Sequence, residues 1–478
     1  MSQQTVYHIP DFHFDYYCII TNKSQPEVLM ICEKNGWSLP YFISYEHNEG
    51  VVGHINRKMK AQLGLDVTTL CCFYDSEVND KNYKPESKSV CRVYAMENHS
   101  DYCMLPLNAR WVKLDELSSL TLVNSKLRPI LESWLTELNG EEIKKEREPW
   151  AKFGWFEQVA GWINLQLTNS ELIVITDVEQ VKSWEISCII KVITNAGNFY
   201  FKAGNPVLGN EAAKTQKLAK IFPKNMPQIL AIEPENQWML MHDFTGNYLE
   251  KHSDICKWEE AMRLFAEMQI QAVKQVDILL AFGFPDRRLD WLISQIDLLL
   301  ADKAALVLQQ NRGLSETELE TLRYASPQLV AMCHEFAACD IPPTLIHGDF
   351  HCQNLVVTAE KYIYFDWSDA AIGHPFFDAV YFLHQKQLPN VKDVQLRLRN
   401  AYLEPWTVYL SMKELTQIFE KARPLTLLYR AIMDYQIISN LEDEAKHKWG
   451  QVVPYWLKKL LDWIDISDEV QNHREKLL

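Results

Sequence analysis

The sequence predicts a mixed α+β protein: two β-rich segments, residues 1–145 and 146–246, followed by a helical segment over 247–478. Three observations carry this prediction. Short runs of β-branched and aromatic residues recur through the first half, among them Tyr16-Tyr-Cys-Ile-Ile-Thr21, Val28-Leu-Met-Ile-Cys32 and Phe199-Tyr-Phe-Lys-Ala203. In the second half, Leu289, Leu292, Ile293, Ile296, Leu299 and Leu300 repeat at the spacing of one helical face. Finally, 478 residues exceed one compact domain by the usual length prior.

Composition narrows the function classes. Apolar residues at 47% are ordinary for a globular chain and exclude wholesale disorder. A net charge of −15 argues against a general binder of nucleic acid or anionic membrane. The eleven cysteines are scattered without a CxxC pair, and their neighbours are mostly apolar, so most read as buried thiols of a reducing compartment. No basic-then-apolar leader and no 18-residue apolar run is present, so a soluble, cytoplasmic protein without a membrane segment is expected.

In residues 1–145, two strands are followed by Gly36-Trp-Ser-Leu-Pro40 and an irregular stretch to Gly53. Ile55 to Leu65 then reads as a helix stopped by Gly64. A strand at Val90–Ala95, the segment Ala109–Leu117 and a helix near 124–138 complete this part. The order is similar to that of a Nudix hydrolase domain, on Trp37-x-Leu39-Pro40, Arg57, Gly64 and Arg110-Trp111-Val112. The family's metal-holding glutamates are replaced, however, by Lys58, Ala61 and Gln62, an ammonium, a methyl and an amide where a hard cation needs carboxylates. The resemblance therefore implies an α/β Nudix-like scaffold without hydrolase chemistry, used to pack against the next segment or to shape access to its site. An unrelated α/β fold is the alternative.

Residues 139–149 are charge-rich, end in Pro149 and mark a domain boundary. Trp155 to Leu167 reads as an amphipathic helix, with strands at Leu172–Thr176 and Glu185–Ile193. Asn195-Ala-Gly-Asn198 has hairpin-turn chemistry. Lys202 closes the returning strand, and Glu211 opens a helix that Asn210 is placed to cap. The run Gln237–Asp243 is a further apolar strand that contains Met241. Beyond 247, Ser315-Glu-Thr-Glu318 is a capping box, Ser326-Pro327 is expected to start another helix, and Pro424–Ile432 and Val453–Leu461 read as helices.

The segment with most chemistry is His347-Gly-Asp-Phe-His-Cys-Gln-Asn354, followed by Tyr362-Ile-Tyr-Phe-Asp366-Trp-Ser-Asp369, Gly373-His-Pro375 and Asp378. Taken singly, these fragments could be a capped turn and the end of a strand. Their order and spacing suit phosphoryl transfer, which needs a carboxylate to accept a hydroxyl proton and oxygen ligands to hold magnesium against phosphates. The pattern resembles the aminoglycoside phosphotransferase and choline kinase group of small-molecule phosphotransferases.

That resemblance implies a bilobal, protein-kinase-like fold, with residues 146–246 as a β-rich small lobe and 247–478 as a helical large lobe, preceded by the Nudix-like domain. It implies Asp349 as catalytic base, Asn354 and Asp366 as magnesium ligands, Lys202 held by Glu211 as the phosphate-binding pair, and backbone near Met241 as the adenine site. His347 is expected to brace the loop and Asp378 to tie down backbone. His351 and Asp369 face the same region. The hairpin turn expected over the nucleotide, Ser183-Trp-Glu-Ile-Ser187, has no glycine, and His374 stands where the family commonly has Asp. The implied activity is ATP- and magnesium-dependent phosphorylation of a hydroxyl on an amino sugar, amino alcohol or related metabolite. A non-catalytic nucleotide-sensing or scaffolding protein is the alternative, and a working Nudix pyrophosphatase is disfavoured by the missing glutamates.

Overall fold

A computed structural model describes residues 12–79, 89–101, 105–140, 147–168, 173–205, 209–307, 313–441, 446 and 448–475, with side chains up to 464 except at 78 and 79. The charged run at 141–146, central to the expected boundary, lies outside the described residues. The chain forms two compact units, 1–205 with 230–243, and 206–229 with 244–478.

The first unit holds two sheets. Strands β1 (His13–Thr21), β2 (Val28–Glu33), β3 (Gly36–Ser38), β4 (Tyr41–Ser44), β5 (Val67–Asp75), β6 (Ser89–Asn98) and β7 (Ala109–Val112) form a seven-stranded sheet. Its main path is β3-β2-β1-β6-β5, with β4 paired to β1 and β7 to β2. Alternation along β1 sends Phe14, Tyr16, Cys18 and Ile20 to one face, where they pack with Ile55, Met59 and Leu63 of the helix Gly53–Leu63. Ile19 packs on the other face with Leu127, Leu131, Trp134 and Leu135 of the helix Leu127–Leu138. The first of these helices ends as expected: Gly64 sits at φ +70° and donates its N–H to the Lys60 carbonyl.

The second sheet contains β8 (Ile175–Ser183), β9 (Ser187–Thr194), β10 (Gly197–Gly204), β11 (Ile229–Glu233) and β12 (Trp238–His242), in the order β11-β12-β10-β9-β8. The helix Trp155–Thr168 covers it through Trp155, Val159, Ile163 and Leu167. The expected hairpin is present: β9 ends at Thr194 and β10 begins at Gly197, whose φ of +110° suits a glycine. The β8 strand extends to Ser183 rather than stopping at Thr176, because polar Asp177–Ser183 gains a ladder partner in β9.

The second unit is mainly helical and adds two small sheets. Strand β13 (Asn247–Tyr248) pairs with β15 (Leu355–Val357), which pairs with β16 (Tyr362–Tyr364), while β14 (Thr344–Ile346) pairs with β17 (Ala371–Gly373). One expectation fails here. Pro327 does not begin a helix but lies inside a continuous helix, Glu316–Ala337. An interior proline costs about 3 kcal/mol, but Leu319, Leu322, Leu329, Cys333 and Phe336 on both sides of it are buried in one core. Likewise the helix containing Pro424 starts earlier, at Met412, where Ser411 and Glu414 form a capping box. No helix among the described residues is long and apolar enough to cross a membrane.

Candidate active site

The loop from His347 to Asn354 joins β14 to β15, and its shape is dictated by hydrogen bonds from below. Asp378, on the helix Phe376–Leu383, accepts the His347 N–H at 2.6 Å and the Gly348 N–H at 3.0 Å. Burial raises the Asp378 pKa to about 7, against those two donors, which lower it. Gly348 has φ +84°, and a Cβ there would lie 2.6 Å from the Asp369 carbonyl oxygen, so the position requires glycine. His347 is fully buried. Its Nε2 donates to the Phe365 carbonyl at 2.9 Å and its Nδ1 accepts the Asp349 N–H at 3.3 Å. Burial pushes its pKa down to about 4, so it is a neutral brace near pH 7. Phe350 stacks on Phe265 with ring centres 3.9 Å apart and anchors the loop in the core. Burying such a ring is worth about 1.5–3 kcal/mol.

This bracing fixes Asp349 and Asn354 on one loop, and Asp366 follows two residues after β16. Asp349 is half-buried, with Oδ2 3.3 Å from His351 Nε2 and Oδ1 accepting the Tyr381 hydroxyl at 3.2 Å. Asn354 is buried and donates Nδ2 to the Asp349 carbonyl at 3.0 Å, which leaves Oδ1 as its ligand-capable atom. The register Leu355↔Tyr364 and the bond from Phe365 N–H to the Asn354 carbonyl set Asn354 beside the end of β16. Asp366 follows in the left-handed region, φ +67°, a strained conformation for a non-glycine residue. An amide oxygen and a carboxylate are hard donors, so this pair fits a magnesium ion.

Lys202, Glu211 and Met241 are all buried. Lys202 and Met241 lie on adjacent strands of the first unit, with Lys202 opposite Met239 and Met241 opposite Tyr200. Glu211 belongs to the second unit, where it opens the helix Glu211–Ile221, capped as expected by Asn210 accepting the Ala213 N–H at 2.9 Å.

Two cations at this site escaped the sequence reading. Arg430, on the helix Met412–Ser439, lies 3.5 Å from Asp349 Oδ1, donates to the Gly348 carbonyl and pairs with Asp434 at 3.3 Å. Its guanidinium lies 4.4 Å from the centre of the Tyr381 ring. Burial is the largest influence on Asp349 and acts upward, but His351, Arg430 and His347 outweigh it and hold the carboxyl well below the usual range. Of these, Arg430 carries a permanent charge. Lys214 is the second. Its buried ammonium donates to the Ser368 carbonyl at 2.7 Å, and burial, reinforced by Arg287, lowers its pKa to about 8. It thereby ties the helix that begins at Glu211 to the loop that carries Asp366. The one signal for Arg430 was its place inside the apolar run Leu427–Met433; Lys214 had none.

His374 also has an account. Its ring is buried against Phe336, 4.0 Å between centres, and its Nδ1 accepts the Phe376 N–H at 3.2 Å at the start of the helix holding Asp378. An acceptor at that point is what an aspartate would also provide.

The model of the phosphotransferase enzyme family matches residues 209–415, a span that contains Glu211, the braced loop, Asp366 and Asp378. The similarity to that family thus rests on residues 209–415, less than half of the chain. Among solved structures, the chain is similar to an ethanolamine kinase of Plasmodium vivax at 12% identity, covering 69% of this chain and 93% of that one, TM-score 0.47. A choline kinase of Cryptosporidium parvum matches at 14% identity, over 65% of this chain and 97% of that one, TM-score 0.46. A choline kinase of Streptococcus pneumoniae matches at 12% identity, over 63% and 99%, TM-score 0.44. No curated protein matches. The family region covers neither Lys202 nor the first sheet, so the Nudix-like reading of residues 1–145 gains no support from the comparisons.

Proposed function

We propose that this protein is an ATP-dependent phosphotransferase that phosphorylates a hydroxyl of a small molecule such as an amino sugar, an amino alcohol or a related metabolite. The observation that carries the reading is the disposition of Asp349, Asn354 and Asp366 on a loop system fixed by Asp378 and His347. In this reading Asn354 Oδ1 and the Asp366 carboxylate hold magnesium, which, when bound, neutralises phosphate charge. Lys202 supplies a further cation to the phosphates, Glu211 is its partner carboxylate, and backbone near Met241 receives the adenine.

Asp349 orients the acceptor hydroxyl and takes its proton as the oxygen bonds to the γ-phosphorus; the bond from that phosphorus to the β-phosphate oxygen breaks and ADP leaves. The low pKa of Asp349 keeps it ionised at neutral pH. Phosphoryl transfer gains mainly from positioning, which is what the buried bracing contributes. The test is mass spectrometry of a metabolite pool incubated with protein, ATP and magnesium. A compound gaining one phosphate, with ADP formed, is expected. Tight ATP–magnesium binding with no phosphorylated product in a broad pool would instead support a nucleotide-sensing role.

A further inference from the structure

The turn between β8 and β9 lies at the Lys202 end of its sheet: Ser183 pairs with Cys188, Cys188 with Ala203, and Ile189 with Lys202. A glycine-rich turn at such a place gains close approach from its missing side chains. This turn, Ser183 to Ser187, has none; it is closed within itself by bonds from Trp184 to the Ser187 carbonyl and hydroxyl, and it is also held from outside. Asn48 and Gly50 form a tight bend, with the Asn48 side chain accepting the Gly50 N–H at 3.0 Å and its carbonyl accepting the Val51 N–H at 3.1 Å. From that bend the Gly50 carbonyl accepts the Ser183 N–H at 2.8 Å, and Val52 donates to the Val181 carbonyl at 3.1 Å. Val51 and Lys182 thus form an antiparallel bridge.

The bend also packs against the turn. A Cβ on Gly50 would lie 2.9 Å from the Trp184 Cβ, so glycine is needed for the approach. Behind it, β5 and β8 are both edge strands, and the buried Gln180 joins them: its Oε1 accepts the Thr69 N–H at 2.8 Å and its Nε2 donates to the Thr69 carbonyl at 2.9 Å. Asn56 adds a bond to the same Oε1 at 3.0 Å. On its other side the turn is held by Trp150 Nε1, bonded to the Trp184 carbonyl at 2.9 Å, and by Asn205 Nδ2, bonded to the Glu185 carbonyl at 3.0 Å.

We propose that residues 48–52 of the N-terminal region are a positioning element of the nucleotide site, fixing the β8–β9 turn beside Lys202 in place of a glycine-rich loop. The inference rests on the reading of Lys202 as the phosphate-binding cation of an ATP-dependent enzyme. A turn ordered before the ligand arrives spares the ligand the cost of ordering it, so displacement of the turn is read as lost ATP affinity.

The test uses the full chain. Affinity for ATP with magnesium is measured by calorimetry, and hydrogen exchange of residues 183–187 is followed by mass spectrometry. Gly50→Val is expected to weaken ATP binding by about tenfold and to speed exchange in the turn, as loss of preorganisation requires. Trp150→Phe keeps the ring but removes the bond to the Trp184 carbonyl, and is expected to weaken binding by about threefold. If Gly50→Val does not fold, Asn48→Ala, which removes the acceptor of the Gly50 N–H in the bend, takes its place with the same expected loss. Arg57→Ala removes an ion pair with Glu179 elsewhere on the same junction and is expected to leave affinity unchanged. Unchanged affinity in the folded turn variants overturns the proposal, as does an equal loss in Arg57→Ala, which would trace the effect to the junction as a whole. A parent protein that binds no ATP overturns the enzyme reading itself and this inference with it.

Discussion

The guanidinium of Arg430 lies 3.5 Å from Asp349 while donating to the carbonyl of the preceding residue, Gly348. One buried side chain therefore adds to the influence of His351 on the charge of the proposed base and holds the backbone beside it. Arg430→Met should raise the Asp349 pKa, because one of the groups that oppose its protonation is gone. A base works only when ionised, so activity persists above its pKa and falls as pH drops through it. The acidic limb of the pH–rate profile should accordingly move to higher pH in Arg430→Met, with turnover at the plateau lower by about tenfold from the loosened loop. Arg430→Lys keeps a charge but not the planar fork, and should preserve the limb better than the plateau.

Lys202 and Lys214 are both buried lysines, but they are expected to respond differently. Lys202→Ala should weaken ATP binding about tenfold or more, as loss of a charge-assisted phosphate contact would, with or without magnesium. Lys214 holds the Ser368 carbonyl, two residues beyond Asp366. Lys214→Met should instead weaken mainly the magnesium-dependent part of the affinity. Calorimetric titrations of ATP with and without magnesium separate the two.

His374 makes a prediction about stability. Burial holds its pKa down to about 3, against 6.5 for a free imidazole. Between those values the unfolded chain binds the extra proton and the folded chain does not, so stability rises with pH and is lost as pH falls below about 6.5. At about 1.4 kcal/mol per pKa unit, the loss approaches roughly 4–5 kcal/mol near pH 3. His374→Asn can still accept the Phe376 N–H but does not titrate. Urea midpoints measured from pH 7 to pH 4 should decline less steeply in that variant.

Much of the scaffold was legible because local chemistry and tertiary demand agree. Gly64 stops its helix, Asn210 caps the helix Glu211–Ile221, and Asn195-Ala-Gly-Asn198 closes the hairpin, each through local backbone chemistry. The order and spacing of Asp349, Asn354 and Asp366 in the sequence, with the resemblance they carry, are what singled those residues out. What was not legible depends on distant partners. Polar Asp177–Ser183 becomes a strand because β9 pairs with it and Gln180 reaches Thr69 across 111 residues. Pro327 stays inside a helix because both halves bury apolar side chains in one core. Lys214 resembles a surface cation in sequence and Arg430 is marked only by its apolar neighbours, and the fold shows both turned inward against backbone carbonyls.

In the proposed reaction Asp349 takes the acceptor's proton. Asparagine keeps the shape of that side chain but cannot accept a proton. Turnover of Asp349→Asn on the acceptor identified by the metabolite screen, with ATP–magnesium affinity measured alongside, tests the claim most directly. The account predicts transfer reduced by on the order of 10² or more with fold and nucleotide binding retained, whereas Asp366→Ala should also disturb metal-dependent binding. An Asp349→Asn enzyme that turns over like the parent would contradict it.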